Sequence, residues 1–465
     1  MATVISHGAA ENVTGSCHFL EINNIKMLID CGMFQGSHEE KNEERFGFNP
    51  AEIDYLLLTH AHIDHIGRVP KLVKEGFKGT IVSTSATWDI AYIMLMDAAK
   101  IFNEEYRTLY RKKQRVGEED SLKKPLYDED DIYDTFQLNH INAIYNEAFV
   151  LSDDITLTFK DAGHILGSSF IQIDFQENNL SKSVVFSGDI GNIRRLVIDG
   201  LQYGKQTQTL FVESTYGDRV HRDLDASIAE FKEVIKDTIE DDGIVLIPSF
   251  ALERTQEILV LLKEMFDNKE LEHCKVFLDS PLAIKATELY SNYPLFLNEK
   301  HKSSASMGEN PFLFDALRLT RDIRESMTIN DVKKRAIIIA GSGMCTGGRI
   351  LHHFKHRLWD KNNAVIFVGF QVEGTLGREI IDGTKMINVR GENVMVNAKV
   401  HTINGFSAHG DREDLIDWIS HFKDLEMIYL IHGECDKMDA FKTTLKERFE
   451  SIKVHIVKER EHIYI

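Results

Sequence analysis

The sequence has 465 residues, of which 43% are hydrophobic and 27% charged, a composition typical of a folded globular protein and unlike that of a disordered or fibrous chain. Its 54 basic and 73 acidic side chains give a formal charge of −19, which argues against a protein that coats nucleic acid or binds a membrane over its whole surface. No membrane-spanning apolar run and no export signal are visible, so we expect a cytoplasmic protein without a membrane partner.

Short strand-like runs bounded by turn residues fill the first part of the chain. They are residues 26–30, 53–59, 80–83, 155–159, 169–175 and 183–187. A helix is predicted from about residue 87 to residue 113, because the apolar side chains there recur at helical spacing. The acidic, lysine-rich segment 117–131 is predicted as an exposed loop.

From about residue 209 the pattern changes to buried strands that alternate with amphipathic helices. The strands are residues 209–213, 244–248, 275–279, 336–340 and 364–370. This alternation predicts a parallel, doubly wound sheet. Because the tail returns to short strands, we predict an α/β domain of residues 209–395 inserted into a first domain formed by residues 1–208 and 396–465.

The clearest chemical signal is the segment 59–65, Thr-His-Ala-His-Ile-Asp-His, which follows a predicted strand. In extended chain His60 and His62 point to the same side, so two imidazoles can reach one cation. The turn that follows can present Asp64 and His65 to another cation. This one segment therefore predicts the start of two metal sites, with metal-free surface histidines as the alternative.

Further ligands must come from elsewhere, because a divalent cation takes about four to six of them. Three glycine-flanked strand ends offer His164, Asp189 and His432. Two cations about 3.5–4 Å apart can hold a bridging hydroxide and clamp the oxygens of an in-line displacement. The combined pattern predicts hydrolytic chemistry.

The same segments resemble two sets of family motifs. Those around Asp30, residues 60–65, His164 and Asp189 resemble the successive motifs of the metallo-β-lactamase superfamily, and residues 211–217, 406–410 and 431–434 resemble its β-CASP branch of nucleic-acid-processing nucleases. The match runs nearly end to end and is most similar to short prokaryotic ribonucleases related to the endonuclease of eukaryotic pre-mRNA 3′-end cleavage. The implied fold class is α/β: an αβ/βα metallo-β-lactamase sandwich with an inserted, doubly wound β-CASP domain.

The resemblance also implies a role for each motif residue. One zinc ion would be held by His60, His62 and His164 and a second by Asp64, His65 and His432, with Asp189 bridging and manganese as the alternative metal. Asp30 would not bind a metal itself but would orient a metal ligand or its neighbours. Beside the catalytic Asp64, His409 supported by Glu213 would protonate the departing 3′-oxygen. The alternatives are that Glu213 caps a helix or forms a salt bridge, and that His409 is a polar loop residue without a catalytic role.

A glycine-rich segment, residues 340–349, lies between a predicted strand and a predicted helix. Its backbone amides and the helix N-terminus can cradle a phosphate, so we predict that Ser342, Gly343 and Arg349 bind substrate, a tight turn without ligand being the alternative. Arg254, at another strand-to-helix turn, is a weaker candidate. Residues 318–357 carry nine basic and three acidic side chains, which favours a face for a polyanion over a solvated surface without partner.

Together these signals predict a zinc-dependent ribonuclease that cleaves single-stranded RNA in a cleft between the two domains. Hydroxide bound to the metals would attack phosphorus and leave a 5′-phosphate, by endonucleolytic cleavage, with 5′-exonuclease action left open. A hydrolase of small esters or lactones and a catalytically silent RNA-binding partner subunit are the alternatives. Some relatives carry KH or C-terminal domains that this sequence does not show, so we expect affinity to come from the insert, a homodimer or another protein.

Overall fold

The computed structural model describes all 465 residues, which divide into two compact units. The first unit comprises Met1–Ile193, Gly200–Val220 and His409–Ile465, and the second comprises Arg194–Asp199 and His221–Ala408. None of the helices combines the length and the apolar character needed to cross a lipid bilayer.

The regular elements are numbered in chain order. The strands are β1 (Thr3–Ser6), β2 (His18–Ile22), β3 (Ile25–Ile29), β4 (Tyr55–Leu57), β5 (Thr80–Ser83), β6 (His140–Asn142), β7 (Ala148–Ser152), β8 (Ile155–Asp161), β9 (Ser169–Glu177), β10 (Leu180–Phe186), β11 (Thr209–Glu213), β12 (Ile244–Pro248), β13 (Lys275–Asp279), β14 (Leu317–Leu319), β15 (Ala336–Ala340), β16 (Ala364–Phe367), β17 (Met386–Val389), β18 (Glu392–Met395), β19 (Lys399–Thr402), β20 (Met427–Ile431), β21 (Lys453–Ile456) and β22 (His462–Tyr464). The helices are α1 (Ile63–Ile66), α2 (Val69–Lys74), α3 (Ser85–Gln114), α4 (Glu129–Phe136), α5 (Leu224–Glu240), α6 (Arg254–Asp267), α7 (Pro281–Asn292), α8 (Glu299–Ser306), α9 (Ile323–Thr328), α10 (Ile350–Arg357), α11 (Leu376–Ile381), α12 (Arg412–Ser420) and α13 (Cys435–Arg448).

The first unit is built on two seven-stranded sheets, in the orders β22-β1-β2-β3-β4-β5-β6 and β21-β20-β11-β10-β9-β8-β7. Alternating apolar side chains from both sheets, among them Leu20, Ile173 and Phe211, pack into one buried core. The other face of the second sheet is covered by α12 and α13, whose Trp418 and Phe441 are fully buried against it. This arrangement matches the expected sandwich.

Three aromatic rings stack across the centre of the second sheet. Phe211 lies 4.7 Å from Phe186, with 10° between the ring planes, and 4.7 Å from Tyr429, with 16° between them. Phe186, Phe211 and Tyr429 are direct partners in the parallel ladder of β10, β11 and β20. Because each of these strands leads to a candidate site residue, the stack holds three parts of the site in one register.

Truncating the central ring is therefore expected to destabilise the first unit. Phe211→Ala should lower the free energy of unfolding by about 3–5 kcal/mol, since it removes a fully buried ring and leaves a cavity. Phe211→Leu, which fills most of that volume, should cost less than about 2 kcal/mol. Urea unfolding followed by tryptophan fluorescence measures both, and equal midpoints for the two variants would contradict a packing role for the ring.

The second unit contains a six-stranded, wholly parallel sheet in the order β14-β13-β15-β12-β16-β19. Chain order reverses around β12, which confirms the doubly wound class. A buried cluster that includes Ile338, Phe354 and Phe367 joins this sheet to α10, and a small hairpin of β17 and β18 packs into the same core.

The boundaries of the two units differ from the expected boundaries at residues 209 and 396. β11 pairs in parallel with β10 and β20 and belongs to the first unit, whereas β19 pairs with β16 and belongs to the second. The divisions accordingly fall after Val220 and after Ala408. All five residues of β11 are buried, and a short buried strand carries no sequence signal for the sheet that it joins, so its pairing decides where it lies.

Candidate metal centre

Histidine and aspartate side chains converge at the carboxyl ends of β4, β8, β10 and β20 in the first unit. One group consists of His60, His62, His164 and Asp189, and another of Asp64, His65 and His432. Within each group the potential ligand atoms all lie within 4.8 Å of one another. The structure thus brings together all seven residues that the sequence predicts as metal ligands.

The imidazole nitrogens of each group face one another. His62 Nδ1 lies 3.1 Å from His60 Nε2 and 3.1 Å from His164 Nε2. In the other group His65 Nε2 lies 3.2 Å from His432 Nε2. Nitrogen lone pairs that converge on one point are the arrangement that a cation completes.

Asp189 lies between the two groups. Its Oδ2 is 3.4 Å from His60 Nε2, while its Oδ1 is 3.2 Å from His65 Nε2 and 3.7 Å from His432 Nε2. Oδ1 is buried and makes no hydrogen bond, which is unusual for a carboxylate oxygen out of contact with water. The donors therefore fit divalent cations, with Asp189 able to reach both groups.

Buried polar side chains contact the ligand residues and hold them in place. Asp30 Oδ2 accepts a 2.7 Å hydrogen bond from His65 Nδ1, and Oδ1 accepts one of 2.8 Å from the backbone N–H of Thr59. Thr215 Oγ1 lies 3.1 Å from His432 Nδ1. The sequence reasoning missed Thr59 and Thr215, because a threonine after a strand carries no spacing signal of its own. Such partners fix ring orientation and tautomer at metal sites.

The electrostatics of the first ligand group, His60, His62, His164 and Asp189, suit metal binding. Burial, together with the charge of His60, lowers the pKa of His62 to about 3, and burial likewise lowers the pKa of His164 well below its ordinary value. Although burial opposes it, the charges of His432 and His65 lower the pKa of Asp189. At neutral pH the first group thus offers neutral imidazoles and an ionised carboxylate, the forms that bind cations.

His409 and Glu213 form a pair beside this cluster. His409 Nδ1 lies 3.2 Å from both carboxylate oxygens of the buried Glu213, whose Oε1 also accepts a 2.6 Å hydrogen bond from the backbone N–H of Ile190. His409 Nε2 is 4.0 Å from Asp189 Oδ2. Burial opposes protonation of His409, but the charge and hydrogen bond of Glu213 raise its pKa to about 9. The raised pKa favours a protonated imidazole at neutral pH, with its Nε2 on the side of Asp189.

The predicted substrate-binding residues lie on two loops of the second unit. Ser342 Oγ accepts hydrogen bonds from the backbone N–H groups of Thr346 and Gly347, at 3.1 and 3.3 Å, so it closes the glycine-rich loop on itself. A side chain at Gly343 would collide with the ring of Phe250. Arg254, which begins α6, is buried, pairs with Glu257 and lies over the ring of Phe406.

Arg349 is held by a buried carboxylate that the sequence reasoning did not single out. Its Nη1 donates to Asp279 Oδ1 at 2.7 Å and to the carbonyl of Thr320 at 2.9 Å. Asp279 is fully buried and also accepts hydrogen bonds of 2.7 Å from His353 Nε2 and 2.8 Å from Ser326 Oγ. Asp279 thereby ties α10 and the end of the glycine-rich loop to the end of β13.

Removing this carboxylate should destabilise the second unit in a pH-dependent way. Although burial opposes it, the hydrogen bonds of Asp279, first that of His353, lower its pKa. A folded-state pKa below the unfolded one stabilises the fold above about pH 4 and stops doing so as the pH falls through the folded-state value. We expect Asp279→Ala to cost about 3–5 kcal/mol at pH 7.

Urea unfolding of wild type and variant between pH 7 and pH 3 measures this effect, and the difference between the two should narrow below about pH 4. Asp382→Ala is the matched control, because Asp382 pairs with Arg378 at 2.8 Å but is 53% exposed. It should cost less than about 0.5 kcal/mol at every pH. If the free energy of unfolding lost in Asp279→Ala did not change with pH, a stabilising role for the charge of Asp279 would be contradicted.

Sequence comparisons agree with the geometry of the fold and the cluster. Residues 11–137 match the model of the metallo-beta-lactamase superfamily, residues 255–380 that of the Beta-Casp domain, and residues 393–457 that of the Zn-dependent metallo-hydrolase RNA specificity domain. The fold and donor set define a metallo-hydrolase. The chain belongs to the β-CASP branch of the metallo-β-lactamase superfamily.

Two relatives illustrate the range of this branch. The chain is 36% identical to Ribonuclease TTHA0252 of Thermus thermophilus over 97% of each chain. It is 32% identical to Transcription termination factor FttA of Methanocaldococcus jannaschii, over 95% of this chain and 68% of that protein. A crystal structure of a protein of unknown function from Enterococcus faecalis V583 shares the fold, with a TM-score of 0.55, 13% identity and full coverage of both chains.

Proposed function

We propose that the protein is a metal-dependent ribonuclease that hydrolyses phosphodiester bonds of single-stranded RNA. The observation that carries this proposal is the His409–Glu213 pair, in which Glu213 holds the imidazole with its Nε2 4.0 Å from the carboxylate between the two ligand groups. A general acid is needed where the leaving group is a poorly stabilised alkoxide, as in RNA cleavage. The ribonuclease name of a relative 36% identical to the chain supports the same substrate class.

The two ligand groups are proposed to hold two zinc ions, with manganese as the alternative. His60, His62 and His164 would bind one ion, Asp64, His65 and His432 the other, and Asp189 both. When bound, the ions would supply a nucleophile from water at neutral pH and neutralise the charge on the phosphoryl oxygens. Asp30 and Thr215 keep His65 and His432 in the orientation that this requires.

The protein's own proton donor acts on the opposite side of the reacting phosphorus from the attacking water. His409 Nε2 gives its proton to the 3′-oxygen as the P–O bond breaks, which leaves a free 3′-hydroxyl on one product and a 5′-phosphate on the other. Glu213 does not touch the substrate in this proposal. It accepts from Nδ1 and so directs the Nε2 proton towards the reacting group.

The glycine-rich loop of the second unit is proposed to bind a phosphate of the RNA through its backbone amides. Ser342 keeps the loop closed, and Gly343 lets it pass beside Phe250. Arg349 is bound to Asp279 and would position the loop, while Arg254 is paired with Glu257. The contacts of each side chain within the second unit support these proposed roles.

The proposal is tested with end-labelled linear and circular single-stranded RNA and a chromogenic ester. We expect cleavage of both RNAs, loss of cleavage on chelation and its return on addition of zinc or manganese. Cutting of the circle identifies an endonuclease, whereas cutting of the linear form alone identifies an exonuclease. Turnover of the ester with both RNAs intact would favour the small-ester hydrolase, and binding without turnover of either substrate would favour a silent RNA-binding subunit.

A further inference from the structure

Helix α3 of the first unit begins beside the loop that carries His164. Thr84 caps the helix by accepting from the backbone N–H of Thr87 at 3.1 Å. The hydroxyls of Thr84 and Thr87 both donate to the carbonyl of Gly167 at 2.8 Å, three residues beyond His164 in the same loop. The next turns are buried through Ile90 and Leu95. The N-terminal half of α3 is therefore fixed to the body of the unit and to a loop that carries a metal ligand.

The C-terminal half of α3 is largely exposed. The ring of Phe102 lies 5.3 Å from that of Tyr127, and Lys113 donates to Ser121 Oγ at 2.9 Å, but six consecutive residues from Arg107 to Lys112 are exposed. At a rise of about 1.5 Å per residue, the axis from Thr87 to Arg111 spans about 36 Å. The exposed end of the helix is thus far from the residues that would cleave RNA.

The residues at this end have a distinctive composition. Residues 106–116, here called the basic helix end, carry five cationic side chains and no carboxylate in a chain of net charge −19. Arg107, Arg111 and Arg115 follow one another at four-residue spacing and lie along one side of the helix. Tyr106 and Tyr110 lie alongside, with ring centroids 6.0 Å apart. Of the five cations only Lys113 pairs with a carboxylate, that of Glu118 at 3.5 Å.

We propose that the basic helix end is a second RNA-binding site, which holds single-stranded RNA remote from the metal centre. Guanidinium groups bind backbone phosphates, and tyrosine rings offer stacking faces to unpaired bases, the combination used by single-strand binding surfaces. An arginine stripe in an otherwise acidic protein complements a polyanion. The inference rests on the proposed ribonuclease function and adds that substrates long enough to reach both places bind more tightly than short ones.

The test measures RNAs of two lengths on an arginine variant and on a control variant that loses the same number of positive charges. An RNA of about 5 nucleotides, about 17 Å when stacked, cannot join the two sites, whereas one of about 40 nucleotides can. The variant is Arg107→Gln, Arg111→Gln and Arg115→Gln. The control is Lys446→Gln, Lys453→Gln and Lys458→Gln, which removes three exposed charges from another part of the same unit.

We expect the arginine variant to bind the long RNA about tenfold more weakly in fluorescence anisotropy, and to show a slope of log affinity against log salt smaller by about 2, the value for three lost single-strand phosphate contacts. Its kcat/KM on the short RNA should equal that of the wild type. The lysine control should change neither the affinity nor the slope.

An unchanged affinity and slope in the arginine variant would overturn the inference, and so would equal losses in both variants. Loss of cleavage of the short RNA would also count against it, because it would mean that the arginines act at the metal centre or on the fold. Fluorescence anisotropy reports binding of the RNA and does not depend on its cleavage. A protein that binds the long RNA through the arginines but cleaves neither RNA would refute the ribonuclease proposal alone.

Discussion

Asp189→Ala is expected to lower kcat/KM for RNA cleavage by about 10⁴-fold or more, the scale of losing a residue on which the whole catalytic group depends. The carboxylate lies within 3.7 Å of histidines from both ligand groups, and its Oδ1 makes no hydrogen bond within the protein. Asp189 thus lies between the two groups. Its removal should therefore disturb both proposed ions at once, whereas loss of His62 disturbs one.

Metal content provides a readout separate from activity. Elemental analysis of gently purified protein should find about two ions per wild-type chain and fewer in Asp189→Ala. Asp189→Asn preserves the shape of the side chain and serves as the control for folding, which circular dichroism confirms independently. Full metal content together with more than about a tenth of wild-type activity in the alanine variant would show that the carboxylate does not link the two groups.

Much of the metal centre could be predicted from the sequence because its ligands are local or follow strands. His60, His62, Asp64 and His65 occupy six consecutive residues, so one strand end and one turn already fix most of two ligand groups. His432 lies more than 360 residues further along the chain, yet its strand and the following glycine marked it. These ligands are predictable because each follows a strand, and the carboxyl ends of the strands lie at the edge of the sheet.

The contacts of Asp279 show what the sequence could not supply. Asp279 ends a buried strand, and its partner His353 lies on a helix 74 residues later, so no spacing rule relates them. Prediction placed Arg349 among substrate-binding residues because it ends a glycine-rich segment whose backbone amides and following helix N-terminus suit a phosphate. Its pairing with Asp279 depends on the parallel alignment of β13 and β15, which only the folded sheet reveals. The extent of α3 was predictable, since it rests on local periodicity alone.

His409→Ala is expected to lower kcat on RNA by about 10²–10⁴-fold, the usual contribution of a positioned general acid. The imidazole is 21% exposed, so its loss leaves only a small polar gap next to the metal ligands and should change metal content little. Glu213 acts through His409, which makes it a positioning residue. Glu213→Gln should therefore give a smaller loss of kcat than His409→Ala, because an amide still accepts from Nδ1 but no longer carries the charge that raises the pKa of His409.

The leaving group distinguishes proton donation from a structural role. Bis(p-nitrophenyl) phosphate expels a phenolate that needs no proton, so His409→Ala should cleave it within about threefold of the wild-type rate while failing on RNA. Asp189→Ala should lose both activities, because it removes the proposed metals from every substrate. Equal losses on the two substrates in His409→Ala would mean that the histidine holds the metal centre together, and the general acid would then have to be sought elsewhere in the first unit.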